Sequence, residues 1–194
     1  GDSHAAQFYP GLLAVFPDMD LLQLTAPGCQ PILDWDVPGF PACRAVNDHI
    51  IAAIEKLRPG RVLLSSRWLG IDQEEKLIAT VRRIRKAGVS EVIVVGPVPR
   101  WHPNLAEALT TKFRQQAFAA FPERLSEGLD KDKQVIDGRL ADLAAKAGAR
   151  YLSPLKLLCN ETGCLVRPAG EDFGNAVMAI DDSHLSPEGS RYLM

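Results

Sequence analysis

No stretch of this 194-residue chain approaches the roughly 18 consecutive apolar residues of a membrane span. Nor does it open with a secretory signal peptide. A surplus of positive charge is also missing: 22 Lys and Arg stand against 24 Asp and Glu, a net charge of −2. So balanced a chain has no electrostatic reason to bind nucleic acid or an anionic membrane. Cysteine is scarce, at four residues. The spacings of Cys29, Cys43, Cys159 and Cys164 match no common zinc pattern, so neither a metal nor another cofactor is expected. The cysteines fall as two local pairs in loop-like sequence, Cys29 with Cys43 and Cys159 with Cys164. Reduced structural thiols are one reading. Two short-range disulfides in an extracytoplasmic compartment are the expected one. What remains is ordinary globular composition, 46% hydrophobic and 24% charged. A single domain over residues 1–194, large enough for a real core, is expected. A chain that opens inside a motif is expected to be cut from something longer.

The ends carry the chemistry. The opening is Gly1-Asp2-Ser3-His4, and near the close stands Asp181-Asp182-Ser183-His184-Leu185-Ser186-Pro187-Glu188-Gly189. A carboxylate three positions before a histidine can share one turn with it and fix the imidazole tautomer, leaving the other ring nitrogen to take a proton. Ser3 is the hydroxyl in reach if the ends meet. Either motif alone is commonly a cap or a surface turn. Together they predict a serine nucleophile with His184 as base and Asp181 as orienter. Asp182 competes for the orienting role.

Between the ends, periodicity alternates. Helices are expected from His4, stopping near Pro10-Gly11 or a little later; over 42–57 on Val46, Ile50, Ile54 and Leu57; and over 72–87 on Leu77, Ile78, Val81 and Ile84. Others are expected from the Asn104 cap to about Ala120, over 131–146, and from a Ser186 cap with Pro187 in first position. Strands are expected at 21–24, 61–65, 91–95 and 149–152, with loops at 121–130, between Cys159 and Cys164, and in the polar stretch to Asn175. The run Arg82, Arg83, Arg85, Lys86 reads as a solvated face near a helix C-terminus. This order predicts an α/β chain, a parallel sheet covered by helices on both faces. Functional loops then gather at the carboxyl ends of the strands, which would put Ser3, the Gly28 loop, the 65–70 loop and the Gly96 loop on one edge.

An acyl-transfer site needs donors for an oxyanion. The Ser3 and Gly28 N–H groups and the Arg67 guanidinium are the candidates. Trp68 is a pocket wall or a core residue. Trp101 and His102 line a groove or simply stiffen a Pro-braced loop. His4 and His49 read as structural.

At these residues the chain resembles the SGNH (GDSL-like) hydrolases. More closely, it resembles the SGNH domain fused behind membrane acyltransferase-3 domains in bacterial proteins that O-acetylate surface glycans. The resemblance rests on Gly1 to Ala5, Ser65-Ser66-Arg67-Trp68, Val95 to Pro99, the Cys159–Cys164 segment and Asp181 to Gly189. It implies a three-layer α/β/α sandwich with a parallel central sheet, and a catalytic Ser3, Asp181 and His184. It also implies a periplasmic location, a glycan acceptor, and an acetyl donor delivered by a membrane acyltransferase domain. A carbohydrate acetylesterase with the same triad, and an inactive glycan-binding domain, are the rival expectations. Two departures stand out. The Asn that donates to the oxyanion in ordinary SGNH enzymes is missing at Ser65 to Trp68, where Arg67 is the expected substitute. The strand that precedes Gly-Asp-Ser in the family has no counterpart before Gly1.

Overall fold

The computed structural model describes residues 1–70, 72–116, 122–170 and 176–194. The expected helix beyond Gln116, the start of the 121–130 loop and the last part of the stretch to Asn175 lie outside the described residues. The chain forms two compact units: one of residues 1–6, 22–97 and 135–153, the other of residues 7–21, 98–134 and 154–194.

The first unit is built on a parallel sheet. Strands β1 (Arg61–Leu64), β2 (Glu91–Val95) and β4 (Arg150–Leu152) lie in the order β1-β2-β4, with Leu64 opposite Val94 and Val95 opposite Leu152. The central strand, Glu-Val-Ile-Val-Val, is buried from Val92 onward. A strand buried on both faces should read as such a continuous β-branched run. Helices α3 (Cys43–Leu57), α4 (Glu74–Lys86) and α6 (Asp132–Ala147) supply the layers. Ile54, Leu77, Val81, Ile84, Leu140 and Leu143 join Leu64, Val92 and Val94 in one core cluster. Each such side chain contributes about 1.5–3 kcal/mol when fully buried. The mixed α/β architecture with a parallel sheet is the one the sequence predicts.

Details differ. The buried stripe of α3 runs through Cys43, Asn47 and Ile54, not Val46 and Leu57. Asn47 is inside because its amide donates to the carbonyls of Gln30 and Ile32, at 2.8 and 3.0 Å. It thereby pins the irregular segment before α3. The expected strand at 21–24 does not form. Leu22 is 65% exposed, and short apolar sequence without a ladder partner gives no strand. The basic run at the end of α4 does more than face solvent. Arg82 and Arg85 donate to the carbonyls of Lys146 and Gly148 at the end of α6, groups that a helix terminus leaves unsatisfied.

The second unit contains α2 (Tyr9–Val15), α5 (Leu105–Gln116), α7 (Pro154–Leu158) and α8 (Pro187–Leu193). It also holds a small antiparallel sheet in the order β3-β6-β5, from Arg124–Leu125, Gly163–Leu165 and Cys159–Asn160. The sequence predicts plain loops for all three strands. They are two or three residues long, below the length at which alternation can register. Pro10-Gly11 does not end a helix. Pro10 stands in the first turn of α2, where its missing N–H costs nothing. Gly11 packs on the backbone of Ser190 in α8; its N–H donates to Ser190 Oγ at 3.0 Å, and a Cβ there would overlap the Ser190 carbonyl. Ser186 caps α8 by accepting the Gly189 N–H at 2.8 Å, as its Ser-Pro sequence predicts.

Both predicted disulfides are present, Cys29–Cys43 in the first unit and Cys159–Cys164 in the second. Among the described residues no helix is long and apolar enough to cross a membrane.

Candidate active site

The nucleophile candidate Ser3 is exposed and opens α1 (Ser3–Ala6). Its neighbour Asp2 is only 4% exposed. Asp2 Oδ1 accepts the His4 N–H at 2.8 Å. Asp2 Oδ2 accepts both the Ser66 hydroxyl at 2.7 Å and the Arg67 N–H at 3.0 Å. Ser66 and Arg67 follow β1 directly, so this carboxylate ties the Ser3 turn to the carboxyl edge of the parallel sheet. Gly1 also lies on that edge: a Cβ there would overlap the Ser65 carbonyl oxygen. On the other side, the Ala26 N–H donates to the Gly1 carbonyl at 3.0 Å, which brings the Gly28 loop alongside.

Gly28 sits in that loop with φ +73°, and the Phe40 ring occupies the space of any side chain. Arg67 is half-buried, and its backbone N–H donates to Asp2 Oδ2 at 3.0 Å. Trp68 is a core residue, 0% exposed, with Nε1 donating to the Val95 carbonyl at 2.9 Å. Its indole stitches the end of β1 to the end of β2 and offers no wall to a ligand. The pocket-wall reading of Trp68 gives way to the core one. His4 is likewise buried, and His49 is exposed on α3.

In the second unit, Asp181 and His184 form a close pair, with Nδ1 2.7 Å from Oδ2. An ionised carboxylate only accepts, so Nδ1 carries the proton of this contact. The other oxygen, Oδ1, accepts the backbone N–H groups of Ser183 and His184, at 2.9 and 2.6 Å. Partial burial pushes the Asp181 carboxyl up, but these N–H groups and the imidazole outweigh it and hold the acid below its usual range.

Asp182 has a different partner. Its carboxylate accepts Arg100 Nε at 2.8 Å and the Ser183 hydroxyl at 3.0 Å. Of the two competing orienters, Asp181 is the one on the imidazole. The backbone is braced from the 100–105 segment: Trp101 N–H donates to the Asp182 carbonyl and Leu105 N–H to that of Asp181. Trp101 is 1% exposed, so it is a buried brace. Asn104 caps α5 by accepting the Glu107 N–H, and His102 reaches toward Asp130. Gln7 adds a further tie, its Oε1 accepting the Leu185 N–H at 2.7 Å. Neither Asp2, Gln7 nor Arg100 is singled out by sequence reasoning. Each acts on a partner 64 to 178 positions away, and a lone Asp or Gln carries no spacing signal for that.

Among the described residues no group of three His, Cys, Asp or Glu could hold a metal ion. The family model of the SGNH domain fused to AT3 domains matches residues 1–194. Among solved structures, the periplasmic domain of a lipopolysaccharide acetyltransferase from Salmonella ser. Paratyphi A is similar, with a TM-score of 0.87 and 28% identity. The similarity covers 100% of this chain and 78% of that one. No curated protein matches the chain.

Proposed function

The chain belongs to the family of SGNH domains fused to AT3 domains, and from that premise we propose that it is a serine-dependent O-acetyltransferase domain acting on hydroxyls of a bacterial surface glycan. The single observation that carries the reading is the Asp181–His184 pair at 2.7 Å, the orienter and base of an acyl-transfer triad. Ser3 is the nucleophile of this reading. Gln7, whose side chain grips the Leu185 N–H next to His184, follows Ser3 by four residues of chain.

In the mechanism, Ser3 Oγ attacks the acetyl carbonyl as its proton passes to His184 Nε2. The tetrahedral oxyanion meets the Arg67 guanidinium and the Ser3 and Gly28 N–H groups. One such donor is worth about 3 kcal/mol of barrier. Collapse expels the donor's leaving group, which takes the proton from His184 and leaves an acetyl-serine. A glycan hydroxyl then gives its proton to His184 and attacks. Ser3 departs and regains its proton. Asp181 stabilises the imidazolium in both halves. The acetyl group is delivered by a membrane acyltransferase partner domain. The domain itself is extracytoplasmic, where its two disulfides are stable. The similar Salmonella domain comes from a lipopolysaccharide acetyltransferase, which favours lipopolysaccharide as the acceptor class.

The test is incubation with an aryl acetate, with and without acceptor oligosaccharide. Sugar-linked acetate is the expected product. Free acetate alone would make the domain an acetylesterase, and no turnover would make it a binding domain. Ser3→Ala should abolish activity, and a variant that still turns over removes Ser3 from the mechanism.

A further inference from the structure

We infer that Asp2 is a positioning residue, the anchor that holds Ser3 and Arg67 in one register. The inference rests on the proposed role of Ser3 and concerns a residue that role leaves unassigned. A buried carboxylate is costly unless its oxygens are satisfied. Asp2 is 4% exposed, and two N–H groups and one hydroxyl donate to its oxygens. These donors come from two segments. His4 belongs to the turn that presents Ser3. Ser66 and Arg67 belong to the loop that leaves β1.

Each oxygen therefore has a separate task. Oδ1 holds the first turn of α1, where it accepts the His4 N–H. Oδ2 holds the β1 loop and fixes where the Arg67 side chain starts. If Arg67 serves the oxyanion, donor and nucleophile are registered to each other through one carboxyl group. Gly1 lets the backbone close down: with no Cβ, it can lie on the Ser65 carbonyl. A misplacement of about 1 Å in such a constellation can cost about 100-fold in rate.

The two tasks can be separated. Asp2→Asn keeps the shape and one acceptor. Held by the His4 N–H, its amide group turns an N–H toward the Arg67 N–H, so Arg67 loses its acceptor while the α1 turn keeps its own and the Ser66 hydroxyl must accept where it donated. Asp2→Ala removes both. The experiment measures amide hydrogen exchange at His4 and Arg67 by NMR, the rate of Ser3 labelling by a fluorophosphonate, and kcat and KM for an aryl acetate. In Asp2→Asn, Arg67 exchange should accelerate while His4 stays protected. Ser3 labelling and kcat should fall about 30-fold, with KM within about twofold, since positioning acts on the reacting geometry. Ser66→Ala should fall by about 5-fold as the weaker version of the same lesion.

Wild-type labelling and kcat in Asp2→Asn, with the Arg67 amide exchanging freely, would overturn the inference and leave the Ser3 mechanism standing. An Arg67 amide still protected in Asp2→Ala would also overturn it. A wild-type protein that is not labelled at Ser3 overturns the mechanism and the inference together. Asp2→Asn has the same shape as the native side chain, so the outcome does not depend on Asp2→Ala folding.

Discussion

Asp2 and Asp181 are both short carboxylates that accept backbone N–H groups, yet the fold uses them differently. Asp2 is 4% exposed and gives both oxygens to the fold. The Asp181 side chain is 46% exposed and gives one oxygen to the backbone, keeping the other for an imidazole. The difference teaches how a carboxylate's task can be read. Full enclosure with main-chain and hydroxyl donors marks an anchor. Partial exposure with one oxygen on a titratable ring leaves a group able to respond to the charge of that ring.

The widest gap between the two should appear on substitution. Asp181→Asn should reduce kcat by about 10³- to 10⁴-fold, because the imidazole loses the partner that sets its tautomer. Thermal unfolding should barely shift. Asp2→Ala should lower stability by about 2–3 kcal/mol, since it leaves buried donors without an acceptor. Steady-state kinetics beside a melting curve checks both. Equal losses of stability in the two variants would erase the distinction.

The disulfides extend the comparison to the two units. Cys29–Cys43 closes a separation of 14 residues and Cys159–Cys164 one of 5. On the loop-closure model, replacing the first pair by serine should cost about 3 kcal/mol and the second about 2. Urea unfolding of each double variant tests the order. If the shorter loop costs more, strain or residual structure governs, not chain entropy.

A smaller effect concerns Asp182. Its Arg100 partner, 2.8 Å away, braces the loop that holds Asp181. Arg100→Ala should lower kcat about 10-fold, short of the Asp181→Asn loss, with KM nearly unchanged. A loss as large as that of Asp181→Asn would put Arg100 on the substrate.

The smallest effect is with pH. Asp181 has its acid held below the ordinary value in the folded state. Its contribution to stability is therefore complete above the unfolded pKa of about 3.9 and fades as pH falls through the folded value. The difference in melting temperature between wild type and Asp181→Asn should be constant from pH 7 to 5 and shrink below pH 4. Exposure of the carboxylate keeps that difference small. A difference that grows toward acid would reverse the sign of the shift.

Local patterns carried most of the fold. The β-branched run of β2, the stripe of α4 and the Ser186-Pro187 cap each announce themselves within a few residues, because period and capping are short-range physics. The contact between Asp181 and His184 was legible for the same reason: a three-residue spacing fits one turn. What escaped depends on distant partners. Pro10-Gly11 reads as a helix stop until Ser190 is seen beside Gly11, 179 residues on. Trp68 reads as a loop aromatic until its indole is found on the Val95 carbonyl. Asp2 reads as a turn former until the β1 loop closes on it. In all three cases the deciding contact is made with a main-chain group or a hydroxyl, which leaves no mark in hydropathy.

The meeting of α2 and α8 has a last implication for how this chain can vary. A Cβ on Gly11 would meet the Ser190 carbonyl first, and the Met194 side chain only after it. Apolar residues elsewhere in the two helices can drift in size and be absorbed by neighbours that rotate out of the way. A peptide group cannot rotate out of the way. One added methyl at position 11 would have to lever the helices apart, so tolerance to substitution along this seam should drop to nothing at a single point.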